Sequence, residues 1–299
     1  MSDGFIINMT TENITSLLEG KLYALQNVFE LNGRISSYPI SARGFTPSNC
    51  YLLCQEDGAL LLDTGYSIHE QKILSQIGSV IDANLPLHLF PMRLNEFMSV
   101  CNAMPIAQKF NVIACYAPIP RIDEWLDFNF DGRDEKGNEP LKLDTALLDP
   151  NGKISVGTSD DRTVSAFSAP IRLINTSWVY DEASRVLFTS DMFTHIWSDK
   201  SEGPWLVSSE NDTTDVSWVR SFLLNTRYWW LEGAEIDGLR QKVYDVFNRY
   251  DIETIAPGYG CILQGKEIVE KQFMILDEAL RSLDKSRANT EYVYRGMER

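Results

Sequence analysis

The order of predicted elements constrains the fold of this chain more than any single motif does. Strand patterns precede helix patterns twice along its 299 residues. The first unit has a hairpin at 49–65 and then alternating helices and strands to residue 117. The second has four consecutive β-rich segments between residues 153 and 191, with helices from residue 214 onward. Two such units predict two sheets packed face to face with helices outside, an α/β protein of four αββα layers.

Three further segments complete this prediction. Residues 12–32 have apolar residues at helical spacing, so we expect an N-terminal helical extension over about residues 1–34. Residues 128–153 are charged and turn-rich, which predicts an exposed loop or an insertion. Residues 197–215 are polar and turn-rich, which predicts a long loop placed to cap a cleft. No composition break is visible, so residues 1–299 are expected to form a single domain.

The composition limits the classes of partner. The net charge is −15 and no Lys/Arg cluster stands out, which argues against binding to nucleic acid or to an anionic membrane. The sequence has no signal-peptide pattern and no apolar run long enough to span a bilayer. Five scattered cysteines favour reduced thiols. We therefore predict a cytoplasmic protein that acts on small molecules or on other proteins.

Three short motifs occur in a fixed order. They are LLLDTG at 60–65, LFTSDMF at 187–193 and IAPGYG at 255–260. In sequence and order they resemble the metallo-β-lactamase fold, in its flavodiiron-like branch. The resemblance implies that Asp63 lies below the metal position and supports the residues around it. It also implies that Asp191 stands where an aspartate bridges two metals. It also implies that Tyr259 replaces a histidine.

The principal metal-binding motif of that family is absent from its expected place. The segment PMRLNEFMSVCN occupies residues 91–102 and aligns Leu94, Glu96, Met98 and Ser99 with the ligand positions. Only Glu96 among these four could bind a metal. The chain has three histidines, of which only His195, four residues after Asp191, lies near the expected site. We therefore expect no metal cofactor, with a single Fe or Zn on Glu96, Asp191 and His195 as the alternative.

The resemblance places a cleft where these loops converge, and two interpretations of it remain open. Arg93 or Arg172 could pair internally with Glu96 or Asp191 in place of the lost metals. Alternatively, the arginines could bind a carboxylate or phosphate of a ligand. The residues assigned to substrate binding are Arg93, Asn95, Arg172, Cys101 and Cys261. Glu96 or Asp191 is then the general base, Tyr259 is the proton donor, and a Cys101 or Cys261 nucleophile is a further option.

The function predicted from these residues is binding, or acting on, a small anionic molecule in the vacated cleft. The first alternative is a non-catalytic descendant that binds a ligand or a protein. The second is a hydrolase-like mononuclear metalloenzyme or a diiron-like oxidoreductase with a rearranged site. The resemblance also implies a homodimer, whereas no flavodoxin-like domain is expected in this chain. The aromatic cluster RYWWLEG at 227–233 is interpreted as helix packing, or alternatively as a pocket rim or dimer contact.

Overall fold

The computed structural model describes residues 13–120, 122, 126, 143–149 and 151–287. Two seven-stranded sheets form its centre. The strands of the first sheet are β1 (Ile14–Leu18), β2 (Leu22–Glu30), β3 (Phe45–Gln55), β4 (Gly58–Leu62), β5 (Leu87–Phe90), β6 (Val112–Ala117) and β7 (Thr145–Leu147). Those of the second are β8 (Lys153–Ser155), β9 (Thr163–Ser168), β10 (Ser177–Asp181), β11 (Val186–Ser190), β12 (Leu206–Val207), β13 (Thr254–Pro257) and β14 (Ile262–Gln264).

The two sheets have related topologies. In the first, β1 to β4 form an antiparallel meander, and β5, β6 and β7 then add in parallel. In the second, β8 to β11 form an antiparallel meander and β13 pairs in parallel with β11. The carboxyl ends of β4, β5, β11 and β13 therefore lie at one end of the sandwich, where their loops can form a common site.

Six α-helices cover the outer faces. They are α1 (Glu70–Val80), α2 (Phe97–Val100), α3 (Ala103–Lys109), α4 (Val216–Leu224), α5 (Asp237–Arg249) and α6 (Lys266–Leu283), as found in the described part of the chain. One apolar cluster joins α1 and α3 to the first sheet, and another joins α4, α5 and α6 to the second. A third, including Tyr51, Phe90 and Phe188, lies between the sheets. The four-layer αββα architecture is thus confirmed.

The predicted N-terminal helix is wrong. Residues 14–30 form β1 and β2, joined by a turn at Gly20 with φ of +70°. Leu22 and Ala24 face the inter-sheet core, whereas Tyr23 and Leu25 face the helical layer. Because both faces of β2 are covered, the strand is apolar on both sides and lacks the alternation that identifies a half-buried strand. Residues 1–12 lie outside the described residues.

Two loop predictions have different outcomes. Most of the predicted insertion at 128–153 lies outside the described residues, although β7 and β8 occupy its later part. The predicted loop at 197–215 contributes β12, which pairs in parallel with β14 at the sheet edge. No helix within the described ranges is long and apolar enough to cross a membrane.

Candidate functional site

The candidate site forms at the common end of four strands. Asp63 follows β4, Arg93 and Glu96 follow β5, Asp191 follows β11 and Tyr259 follows β13. Each β-strand supplies a rigid base, and the loop after it supplies the polar side chain. The structure therefore brings together five residues that the sequence assigned to one site.

Asp63 fixes the loop that carries Arg93. It adopts a φ of +60°, and its Oδ1 accepts a hydrogen bond of 2.8 Å from the backbone N–H of Met92. Burial raises the pKa of Asp63 to about 6, because the effects of the Met92 N–H and of Arg93 only partly offset the loss of water. Asp63 thus links the end of β4 to the loop after β5.

Arg93 is the centre of the site. Its side chain is only 1% exposed, with one guanidinium nitrogen 2.7 Å from Glu96 Oε2 and another 3.1 Å from Asp191 Oδ2. The guanidinium also lies 5.9 Å from the centre of the Tyr259 ring. A fixed positive charge therefore stands between the two carboxylates.

Arg227 completes the charge balance. Its two terminal nitrogens donate to the two oxygens of Glu96 at 2.9 and 3.1 Å, and one also donates to Ser36 Oγ at 3.0 Å. Burial alone would raise the pKa of Glu96, but Arg93 and Arg227 together lower it. Two arginines and two carboxylates make a neutral cluster, in which Glu96 is held ionised.

The two tyrosines at the site are buried or half-buried and contact each other. The hydroxyls of Tyr259 and Tyr66 are 2.7 Å apart and form a hydrogen bond. Burial is the largest cause that raises the pKa of Tyr259 well above its usual value. A phenol that is buried and already hydrogen-bonded is a poor proton donor at neutral pH. This geometry does not favour the predicted role of Tyr259 as a proton donor.

Several predicted site residues lie elsewhere. Arg172 is exposed and donates to the carbonyl of Ala169 at 2.7 Å, so it does not reach the carboxylates. Asn95 is exposed, whereas Cys101 is buried behind the loop. Cys261 is buried near the Pro204 carbonyl, and burial raises the pKa of its thiol to about 12. Such a thiol is not activated as a nucleophile.

His195 is also separate from the cluster. Its Nε2 lies 2.9 Å from Oε1 of Gln272, on α6, and burial lowers its pKa to about 4. In the part of the chain that is described, no group of three or more His, Cys, Asp or Glu residues could hold a metal ion. The alternative mononuclear site on Glu96, Asp191 and His195 is therefore not formed.

Sequence reasoning missed Arg227, Tyr66 and Tyr228. Arg227 lies 131 residues from Glu96 and stands in a segment whose aromatic residues dominated its interpretation. Tyr228 is 3% exposed. Its pKa is raised chiefly by burial and, to a smaller extent, by the negative charge of Asp191. No local pattern indicated that either residue faces the carboxylates.

These features together define the metallo-β-lactamase fold as a class. No known family model matches the sequence. No curated protein matches it either. The fold is similar to rubredoxin oxygen:oxidoreductase from Desulfovibrio gigas, with a TM-score of 0.66 and 17% identity over 90% of this chain and 62% of that chain. It is also similar to the flavodiiron protein from Giardia intestinalis, with a TM-score of 0.56 and 12% identity over 91% of this chain and 58% of that one.

A shorter solved structure is matched over nearly its full length. It is a fragment of a putative diflavin flavoprotein from Nostoc, with a TM-score of 0.60 and 12% identity over 90% of this chain and 97% of the fragment. By contrast, this chain spans about three fifths of the two longer proteins. At these identities the likeness establishes the fold, which is the metallo-β-lactamase fold in the form that flavodiiron proteins have.

The residues present do not fit the iron pair that the name of the flavodiiron protein implies. The positions aligned with the ligands hold Leu94, Met98 and Ser99 besides Glu96, and the first three are buried. The space between Glu96 and Asp191 holds the Arg93 guanidinium. A di-iron centre needs several imidazole and carboxylate ligands, and these residues do not supply them.

Proposed function

We propose that this chain is a non-catalytic member of its fold class, in which the Arg93 guanidinium replaces the metal charge, and that it works as a binding protein. The observation that carries the proposal is the contact of one buried guanidinium with both Glu96 and Asp191. One oxygen of each carboxylate lies within ion-pair distance of that cation, and an ionised carboxylate beside a fixed guanidinium is a weaker general base.

The packing around the site supports the same proposal. Tyr38, Met98, Phe222 and Tyr259 form a buried apolar cluster beside the ion pairs. Four surface cavities, of 500 to 1190 Å³, are lined by other residues and include none of Arg93, Glu96 or Asp191. Substrates normally enter a preformed concave site, and none of these four cavities is formed by the three cluster residues.

Binding of a small anion at this cluster is the weaker candidate. Arg93 and Arg227 are both neutralised by carboxylates, and Arg172 lies outside the site. An incoming phosphate or carboxylate would have to displace Glu96 or Asp191 and leave it unpaired, at a cost of several kcal/mol. Hydrolase-like or oxidoreductase-like activity would meet the same obstacle.

From the chain segments that form the cluster we infer an exposed apolar rim beside it, which offers a binding surface. It consists of five large side chains that are 52–81% exposed: Ile40, Ile68, Phe97, Leu173 and Trp229. Each is within four positions in the sequence of a residue that forms or contacts the cluster. Phe97 follows Glu96 directly, and Trp229 is two positions after Arg227. Apolar groups gathered at one surface are typical of protein interaction sites.

The occupant that we propose for the apolar rim is a second copy of this chain. The chain carries a net charge of −15, whereas the rim is apolar and the ion-pair cluster beneath it is neutral. A two-fold contact between equivalent rims would bury apolar surface from both copies and leave most acidic groups in water. A homodimer was also the assembly that the resemblance implied.

Substituting Phe97→Asp together with Trp229→Asp is expected to convert a dimer into a monomer. Full burial of each apolar side chain contributes about 1.5–3 kcal/mol, so the dissociation constant should rise at least about 100-fold. Sedimentation equilibrium over a range of protein concentrations measures this change. Met274→Asp on α6, where Met274 is 68% exposed, is the matched control and should leave the dimer intact. A wild-type protein that stays monomeric, or a double variant that stays dimeric, would contradict the proposed partner.

Incubation with excess Fe(II) or Zn(II), followed by dialysis, is expected to leave less than about 0.2 equivalents of metal bound. The reason is that a cation entering between Glu96 and Asp191 must first expel the buried guanidinium of Arg93. Elemental analysis gives the measurement. Retention of one or more equivalents, lost in a Glu96→Gln and Asp191→Asn double variant, would show that the site is a metal centre.

A further inference from the structure

One of the four surface cavities adjoins His195. It has a volume of about 710 Å³ and is lined mainly by residues 195–199, 211–215, 217–218 and Cys261. Its walls include the segment that the sequence predicted to be a loop over the cleft. Since none of Arg93, Glu96 or Asp191 lines it, the cavity belongs to neither the metal position nor the apolar rim.

His195 lies in the wall of this cavity with a fixed tautomer. Gln272 Nε2 donates to Asp212 Oδ2 at 2.6 Å, which leaves Gln272 Oε1 as the acceptor for His195 Nε2 at 2.9 Å. Lys271 Nζ lies 2.9 Å from the same carboxylate and keeps Asp212 ionised. His195 therefore carries its proton on Nε2, and its Nδ1 is a hydrogen-bond acceptor.

The Nδ1 atom of His195 has no hydrogen-bond partner among the described residues. The side chain is 4% exposed, and its Nδ1 is not fully enclosed. His195 is also one of the residues that line the cavity. A buried imidazole with an unpartnered acceptor in a cavity wall is suited to a ligand that brings an N–H or O–H donor.

Two tryptophans give the cavity an aromatic wall. The rings of Trp197 and Trp218 have centroids 5.2 Å apart and are inclined at 42°. Their indole N–H groups are occupied, that of Trp197 by the carbonyl of Arg43 at 2.8 Å and that of Trp218 by the carbonyl of His195 at 2.9 Å. The ring positions are thus fixed, and their faces can attract a cation.

The charged side chains that line the cavity are all acidic. They are Asp199, Asp212 and Asp215, and no Lys or Arg lines the cavity. Asp212 is paired with Lys271, and Asp215 accepts a hydrogen bond from the N–H of Trp218 in the first turn of α4. The carboxylates of Asp199 and Asp215 remain without a cationic partner in the described structure. The cavity is therefore electronegative.

We propose that this cavity binds a small organic cation that carries N–H donors, such as an aliphatic amine or a guanidinium. The cation lies against the faces of Trp197 and Trp218 and near the carboxylates of Asp199 and Asp215. One of its N–H groups donates to Nδ1 of His195. The inference is independent of the proposed homodimer and of the ion-pair cluster.

Isothermal titration calorimetry with agmatine, which carries an amine and a guanidinium, tests this proposal. The wild-type protein should bind it saturably. Trp218→Leu should weaken binding about tenfold through loss of the cation–π contact, and Asp199→Asn should weaken it about threefold. Tyr244→Leu, at an exposed aromatic residue on α5, is the control and should bind as the wild type does.

Tetramethylammonium tests the need for N–H donors, including the one toward His195, because it is a cation without N–H groups. We expect it to bind at least about tenfold more weakly than agmatine to the wild type, since it cannot donate to Nδ1. The proposal is overturned if the wild type does not bind agmatine saturably. It is also overturned if the wild type and Asp199→Asn bind agmatine with equal affinity. The side chain of Asp199 is exposed at the surface, so that variant is expected to fold and the test does not depend on Trp218→Leu. Equal binding of the two cations overturns the position assigned to His195.

Discussion

Replacing Arg93 with methionine is expected to lower the free energy of unfolding by about 3–5 kcal/mol. Asp191 is 6% exposed, and Arg93 is its only ion-pair partner among the described residues. Removal of the guanidinium leaves that carboxylate buried and unpaired, whereas Glu96 retains Arg227. Urea denaturation followed by tryptophan fluorescence measures the loss.

A second substitution separates the charge effect from the loss of packing. Combining Arg93→Met with Asp191→Asn should recover much of the stability, because the buried charge is removed together with its partner. Arg172→Met is the control, since Arg172 is exposed and bonds only one backbone carbonyl. It should change stability by no more than about 0.5 kcal/mol. An Arg93 variant as stable as the Arg172 control would mean that the ion pair does not hold the site together.

Replacing Arg162 with methionine is expected to destabilise the fold by a similar amount, about 3–5 kcal/mol. Arg162 contacts both sheets at the end of the sandwich remote from the site. Its guanidinium bonds the fully buried carboxylate of Asp181, on β10, at 2.6 and 3.3 Å. It also donates to the carbonyls of Lys21 and Cys54 in the first sheet at 2.9 and 3.1 Å. The variant loses this connection and leaves Asp181 without a cation.

The matched comparison for Arg162 is an arginine in an exposed ion pair. Arg185 is 50% exposed and pairs with Glu253 and Asp251. Arg185→Met should cost no more than about 1 kcal/mol, because surface ion pairs contribute little. Adding Asp181→Asn to Arg162→Met should recover part of the loss, and about 1–3 kcal/mol should remain for the two carbonyls left unbonded. Equal urea midpoints for Arg162→Met and Arg185→Met would contradict the connecting position of Arg162.

The errors in the sequence prediction share one cause. β2 is buried between two neighbouring strands and between two layers, so its apolar residues do not alternate. Without that alternation its sequence pattern predicts a helix. Arg172 was placed in the cleft from its position beside a motif, but its side chain turns to the surface and bonds Ala169. Local pattern reports which residue types are present, whereas burial on both faces and side-chain direction depend on neighbours distant in the chain.

The sequence by itself determined the layer order, the three strand-end motifs and the scarcity of histidine. These are local or compositional properties, and they are sufficient to place Asp63, Arg93, Glu96, Asp191 and Tyr259 at one end of a sandwich. Only the tertiary structure decided that Arg93 lies between the carboxylates and that Arg227 joins them from 131 residues away. The same is true of His195, which bonds Gln272 on α6 rather than facing Asp191. The physical reason is that an ion pair or a hydrogen bond depends on a few ångströms of separation, which only the packed arrangement of all layers sets.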